Sequence, residues 1–320
     1  MRHRQSNKML LAALDEYVTG HEEAKKALIV MLNRAKLRTS QKYIQGMDSE
    51  FLVSPLKVLL IARSGTGKTH LIESLQKICM FPLIKIDATH LNPTGADGGI
   101  KPDKLKKMIN DKATAMCTAY PEEFPYLEYA IEQTVIFVDE IDKLGTNFGS
   151  SGNWNKHVQS SFLTMFDNKD EYSGVSYVFA GAFDDITKHK AAEAAGIGFH
   201  HNNKTIEKEK NLEEQVLRSG LIPEIVGRIN SIIELDVFTK AHFEDILRDR
   251  VLAQKYRDLA QLGIFNVELS NTEIESIADK ATKSTQGVRF LQREVDKIYL
   301  NMEFEHGLDD DLLLLESDYD

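Results

Sequence analysis

The sequence predicts an open α/β domain built on a parallel sheet, followed by a smaller, mostly helical domain. Three observations lead there. Five short, mainly apolar runs alternate with helical segments: Val58–Ile61, Leu83–Ile86, Val135–Val138, Tyr177–Ala180 and Ile232–Leu235. Runs of this kind, bounded by Gly, Pro, Asp or Thr, suit strands buried on both faces of a sheet covered by helices. A glycine-rich turn follows the first run directly and opens a helix. After Asp236 the pattern becomes helical, so the expected division is a large domain over 1–236 and a small one over 237–320.

Each element has its own signal. Near the N-terminus Leu28, Met31, Leu32 and Ala35 share one helical face. The helix after the first strand carries Leu71, Leu75 and Cys79. Residues 145–156 read GTNFGSSGNWNK and predict a polar loop. In the small domain Val288, Leu291, Val295, Ile298 and Met302 predict one apolar helix face. Leu312–Leu315, set among acids, predicts a terminal strand pairing with Phe265–Leu269 in a short sheet.

Composition narrows the function. The 320 residues carry 39 Lys plus Arg against 49 Asp plus Glu, a net charge of -10. That balance argues against a protein gripping nucleic-acid backbones over a broad surface. Two cysteines, Cys79 and Cys117, make neither a disulfide framework nor a cysteine-rich zinc site. His157, His200 and His201 have no ligand partners at useful spacing. The longest apolar run, Met9–Leu14, falls well short of the roughly 20 residues of a membrane span. A cytoplasmic protein without a membrane partner is expected.

Ala62–Thr69 reads ARSGTGKT between a strand and a helix, the context of a phosphate-binding P-loop. Gly65 and Gly67 let backbone N–H groups converge on phosphate oxygens where a Cβ would intrude. Lys68 supplies a point charge, and the Thr69 hydroxyl can ligate Mg2+. Ser64, Thr66 and the following His70 are further candidate nucleotide contacts. Ala62 replaces the usual first glycine, at little cost if its φ stays negative. Further on, VIFVDE places Asp139 and Glu140 at the end of a buried strand. Asp139 suits the Mg2+ shell and Glu140 the attacking water. The expected cofactors are ATP and Mg2+.

Leu14–Leu28 (LDEYVTGHEEAKKAL), Val138–Leu144 (VDEIDKL), Gly181–Phe183 (GAF) and Gly220–Arg228 (GLIPEIVGR) together resemble the ClpX branch of AAA+ ATPases, with HslU a near relative. The resemblance implies a homo-hexameric ring that uses ATP to pull on protein substrates. Tyr17 and Val18 then match the stretch that packs on adenine. Arg228 matches an arginine finger reaching the neighbouring subunit's ATP. Gly196–Phe199 (GIGF) matches the loop that docks on a ClpP-like peptidase, through Ile197, Gly198 and Phe199. The alternative is that Ile197 and Phe199 fold onto their own core. With two cysteines, a counterpart of the zinc-binding N-terminal domain of ClpX is not expected in this sequence.

Other positions depart from the family. The central-pore loop reads Gly95-Ala96-Asp97-Gly98, without its aromatic. Trp154 either supplies the missing substrate contact from a second pore loop or packs on its own subunit. Gln286 falls where a second sensor arginine is expected, and Arg289, one turn later, substitutes as a nucleotide contact only if the helix shifts. Ala180 and Gly181 occupy the first-sensor position. The leading expectation is an ATP-driven protein unfoldase of ClpX type that delivers substrates to a peptidase. The alternative is a nucleotide-gated regulatory or inhibitory protein with weak or no hydrolysis.

Overall fold

The computed structural model describes residues 6–92, 99–145, 152–166, 171–183 and 212–306. The chain divides into two compact units, one of Met1–Arg63 and Lys68–Asp236, the other of Ser64–Gly67 and Val237–Asp320. The first holds a five-stranded sheet: β1 (Lys57–Ile61), β2 (Leu83–Asp87), β3 (Val135–Asp139), β4 (Ser176–Gly181) and β5 (Ser231–Glu234). The order is β2-β3-β4-β1-β5 and every pairing is parallel.

The two-faced burial that the apolar runs require is seen strand by strand. Leu59, Ile61, Ile136, Val138, Tyr177 and Phe179 enter one core. Their alternate neighbours Val58, Leu60, Val135, Phe137, Val178 and Ala180 enter the other. Helices α1 (Asn7–Asp15), α2 (Glu22–Tyr43) and α3 (Lys68–Cys79) cover the second face through Leu14, Leu28, Met31, Leu32 and Leu71. Helices α4 (Pro102–Ala119), α5 (Leu127–Glu132) and α6 (Gly152–Phe166) cover the first. Parallel strands place all their C-terminal ends along one rim, where open α/β sheets bind ligands.

The polar stretch 145–156 is not all loop, because α6 starts at Gly152. Side-chain amides fasten this helix to nearby carbonyls. Asn155 Nδ2 donates to the Gly145 carbonyl at 3.1 Å, and the buried Gln159 donates to Leu144 O at 2.7 Å. Gln159 also accepts from the Ile222 N–H at 2.8 Å. Local composition favours a loop here, and these longer-range bonds override it.

One carboxylate sits wholly inside the first unit. Glu132, at the end of α5, is 0% exposed and takes Arg38 Nε at 2.8 Å and Lys42 Nζ at 2.5 Å, both from α2. Arg38 also donates to Val53 O at 3.0 Å and Ser173 Oγ at 3.1 Å. Burial alone would lower the Lys42 pKa, yet the Glu132 carboxylate outweighs it and the pKa is raised.

The second unit has its own core, with Phe238, Phe243, Leu247, Leu259 and Ile277 among its members. The helix Asn271–Lys283 opens on a capping box: Ser270 Oγ accepts from the Glu273 N–H while Glu273 accepts from the Ser270 N–H. The helix Val288–His306 buries Leu291, Val295 and Tyr299. Ile298 and Met302 are exposed instead, which corrects the face read from spacing. The core follows the 3.6-residue period to Tyr299, whose hydroxyl donates to Val267 O at 2.5 Å. Phe265–Leu269 forms no strand among the described residues, and Leu312–Leu315 lies outside them. No helix among the described residues is long and apolar enough to cross a membrane.

Candidate nucleotide-binding site

The site is built where β1 and β3 end. Residues 62–67 turn the chain from β1 into α3, with Gly65 at φ 76° and Gly67 at φ 89°. Both angles lie in the left-handed region that glycine adopts without penalty. Ala62 is not among the positive-φ residues, and its N–H donates to Gly181 O at 3.0 Å. The alanine in place of the first glycine therefore costs the loop nothing.

Lys68 opens α3 and folds back, donating to the carbonyls of Ala62 at 2.7 Å and Arg63 at 3.2 Å. Thr69 Oγ1 lies 3.2 Å from Asp139 Oδ2, so the helix hydroxyl and the strand-end carboxylate meet as one oxygen pair. Glu140 follows at φ 55°, a left-handed conformation that costs a non-glycine residue about 1–3 kcal/mol. The Glu140 N–H donates to Asp139 Oδ1 at 2.9 Å. The strained backbone swings Glu140 out of the sheet, and its side chain stands exposed beyond the strand. Oxygen donors, a lysine and an outward carboxylate at one rim fit a Mg2+-bound triphosphate.

The segment Ser64–Gly67 packs within the second unit. There Gly65 O accepts from the Val288 N–H at 2.9 Å, and a Cβ on Gly65 would lie 1.9 Å from the Gln286 carbonyl oxygen. Glycine at 65 is thus required for close approach as well as for φ. Arg289 Nη1 donates to Ser64 Oγ at 2.8 Å, which brings Arg289 to the loop as the helix stands. Thr66 lies in the same turn.

The remaining expectations fall unevenly. Val18 is buried, whereas Tyr17 is 44% exposed and its carbonyl lies 2.9 Å from His70 Nε2. Arg228 is half-buried with its guanidinium on the Glu224 carbonyl, inside its own chain. Trp154 is 45% exposed on the first turn of α6 rather than in a loop. Ala96, Asp97, Ile197, Gly198 and Phe199 lie outside the described residues.

Two neighbours of the site escaped the sequence reading. Asp142 is buried, and its Oδ1 accepts from the Ala182 N–H at 3.3 Å. Phe183 sits at φ 46° against the end of β4. A Cβ on Gly181 would lie 2.5 Å from the Phe183 ring and 2.7 Å from Asp142 Oδ1. The third acid of VDEID was the available signal, since an acid a few residues past the end of a buried strand can reach the end of the neighbouring strand.

The family described as "ATPase family associated with various cellular activities (AAA)" matches residues 58–190, which span both halves of this site. Over an alignment 327 positions long the chain is 26% identical to the "ATP-dependent Clp protease ATP-binding subunit ClpX 2" of Wolinella succinogenes, covering 91% of this chain and 75% of that protein. The ClpX of Bacteroides thetaiotaomicron is likewise 26% identical, over 326 residues with the same coverage. The chain carries an AAA ATPase domain and is ClpX-like along most of its length. Both the Ala62–Thr69 turn and the acids at the end of β3 fall within the AAA match of this ClpX-like chain.

Proposed function

We propose that this ClpX-like ATPase hydrolyses ATP with Mg2+ to unfold protein substrates, working as a homo-hexameric ring. The observation that carries the chemistry is the 3.2 Å approach of Thr69 to Asp139, beside Lys68 and the outward Glu140. Thr69 and Asp139 would hold Mg2+, which supplies charge neutralisation at the phosphates when bound. Lys68 exchanges its two carbonyl partners for phosphate oxygens. Glu140 orients the attacking water and accepts its proton. Arg228, turned from Glu224 toward a neighbouring subunit, would stabilise the charge that grows on the γ-phosphate. Residues 1–236 serve as the ATP-binding domain and 237–320 as the lid. Delivery of substrates to a ClpP-like peptidase is supported by the relatives' names as ATP-binding subunits of a Clp protease.

If each site is completed by a neighbour, specific ATPase activity should rise with protein concentration until the ring is assembled. Steady-state rates measured from nanomolar to micromolar protein, with and without a peptidase partner, test this. A constant specific activity from a species of monomer mass would overturn it.

Trp154 supplies an exposed aromatic on a helix that follows the second acidic motif. Replacing Trp154 by Ala is expected to lower protein-stimulated ATPase and substrate unfolding about tenfold, the scale on which truncating one aromatic side chain weakens a binding surface. Basal ATPase should stay within about twofold, since this side chain lies outside the phosphate chemistry. Unchanged unfolding would return Trp154 to simple packing.

A further inference from the structure

The turn after α1 is tied to the phosphate-binding helix by His70, a candidate nucleotide contact to which the hydrolytic steps above assign no role. His70 is the residue after Thr69, and its Nε2 lies 2.9 Å from the Tyr17 carbonyl oxygen. A carbonyl only accepts, so this nitrogen carries the hydrogen and donates. The Ser74 hydroxyl, one helical turn on, stands 3.4 Å from the same nitrogen.

The turn is held at its other positions too. The N–H groups of Tyr17 and Val18 both reach Leu14 O, at 3.0 and 2.8 Å. Gly20 and His21 then take φ of 68° and 61° and lead into α2. The buried His21 accepts the Asp236 N–H on Nδ1 at 3.0 Å, while its own N–H reaches the Asp236 carboxylate. Within this anchored turn Val18 points into the core and the Tyr17 ring stays open to solvent. The ring belongs to a turn whose backbone carbonyl is held to the first turn of α3, and an exposed aromatic ring is a flat apolar surface on which a purine can stack.

We propose that His70 is a positioning residue for the nucleotide base: its bond to the Tyr17 carbonyl sets the Tyr17–Val18 turn at the distance from the P-loop that a purine nucleotide spans. The proposal rests on the nucleotide-binding reading above. Phosphates seated at Lys68 and Thr69 leave the base to run along the flank of α3, where this turn is the wall held to that helix. Pre-set spacing removes an ordering cost from binding. The benefit reaches only ligands that have a base as well as phosphates.

Titration of the full-length protein with Mg-ATP, Mg-ADP and Mg-tripolyphosphate separates the cases. Loss of one positioning hydrogen bond in His70→Ala should weaken ATP and ADP binding about tenfold, with tripolyphosphate within about twofold. His70→Gln, whose amide nitrogen mimics Nε2, should recover nucleotide affinity to within about threefold. A parallel loss of tripolyphosphate affinity would show damage to the P-loop and overturn the proposal. So would nucleotide affinity that survives His70→Ala, or a Gln variant as weak as the Ala one. Failure of the unmodified protein to bind ATP would instead remove the nucleotide reading itself.

Discussion

In the Glu140→Gln variant, ATP turnover is expected to fall by about 10²–10⁴-fold, the usual contribution of a positioned general base. Nucleotide affinity should stay within about threefold, because none of the phosphate or Mg2+ contacts assigned above belongs to this side chain. The substitution preserves shape and removes only the charge and the proton acceptor. The backbone at Glu140 is already committed to φ 55°, and Gln meets the same penalty there, so the fold should be indifferent to the change. The proposed role of Glu140 at the water and not at the metal rests on its position beyond β3, one residue after the carboxylate that meets Thr69. Single-turnover hydrolysis with saturating Mg-ATP checks it. Equal rates for the two proteins would send the search for the base elsewhere.

The second large effect is on stability. Replacing Glu132 by Ala leaves the Arg38 guanidinium, 8% exposed, without its carboxylate, and strands Lys42 beside it. Breaking a buried pair on one side typically costs 3–5 kcal/mol, so a loss of about that size is expected. The lost packing of a fully buried side chain adds to it, and of its two partners on α2, Arg38 also ties in the segments at Val53 and Ser173. The readout is the urea midpoint at pH 7. A joint Arg38→Met, Glu132→Leu change should recover most of the loss, because it removes both charges and keeps the volume. A shift of under about 1 kcal/mol for Glu132→Ala would mean that water solvates the cluster as it does an exposed ion pair.

Much of this molecule is written locally in its sequence, and some of it is not. The strands were legible because a strand buried on both faces shows as a block of apolar residues, and the five runs fall on the five strands. GKT and VDE were legible because each motif is contiguous. The start of α6 was not, since Gly, Ser and Asn predict a loop and only the amides of Asn155 and Gln159 make a helix of it. The Val288–His306 helix was read with the right period but a drifting face, which Tyr299 corrects. The Glu132 cluster was invisible for a different reason. Its acid and arginine stand 94 residues apart, and no local pattern announces such a pair. The same holds for His70 and Tyr17, separated by 53 residues.

The packing around Gly181 bears on which descendants of this sequence are reachable. Any side chain there collides with Phe183 and with Asp142, two residues that also hold the end of β4. A polar first-sensor residue at 181 therefore cannot arrive by one substitution without unseating its neighbours. Directed evolution toward faster turnover should enrich changes at Ala180, or paired changes at 181 and 183, long before any single change at 181. The tight corner acts as a ratchet: it is easy to keep and costly to leave one step at a time.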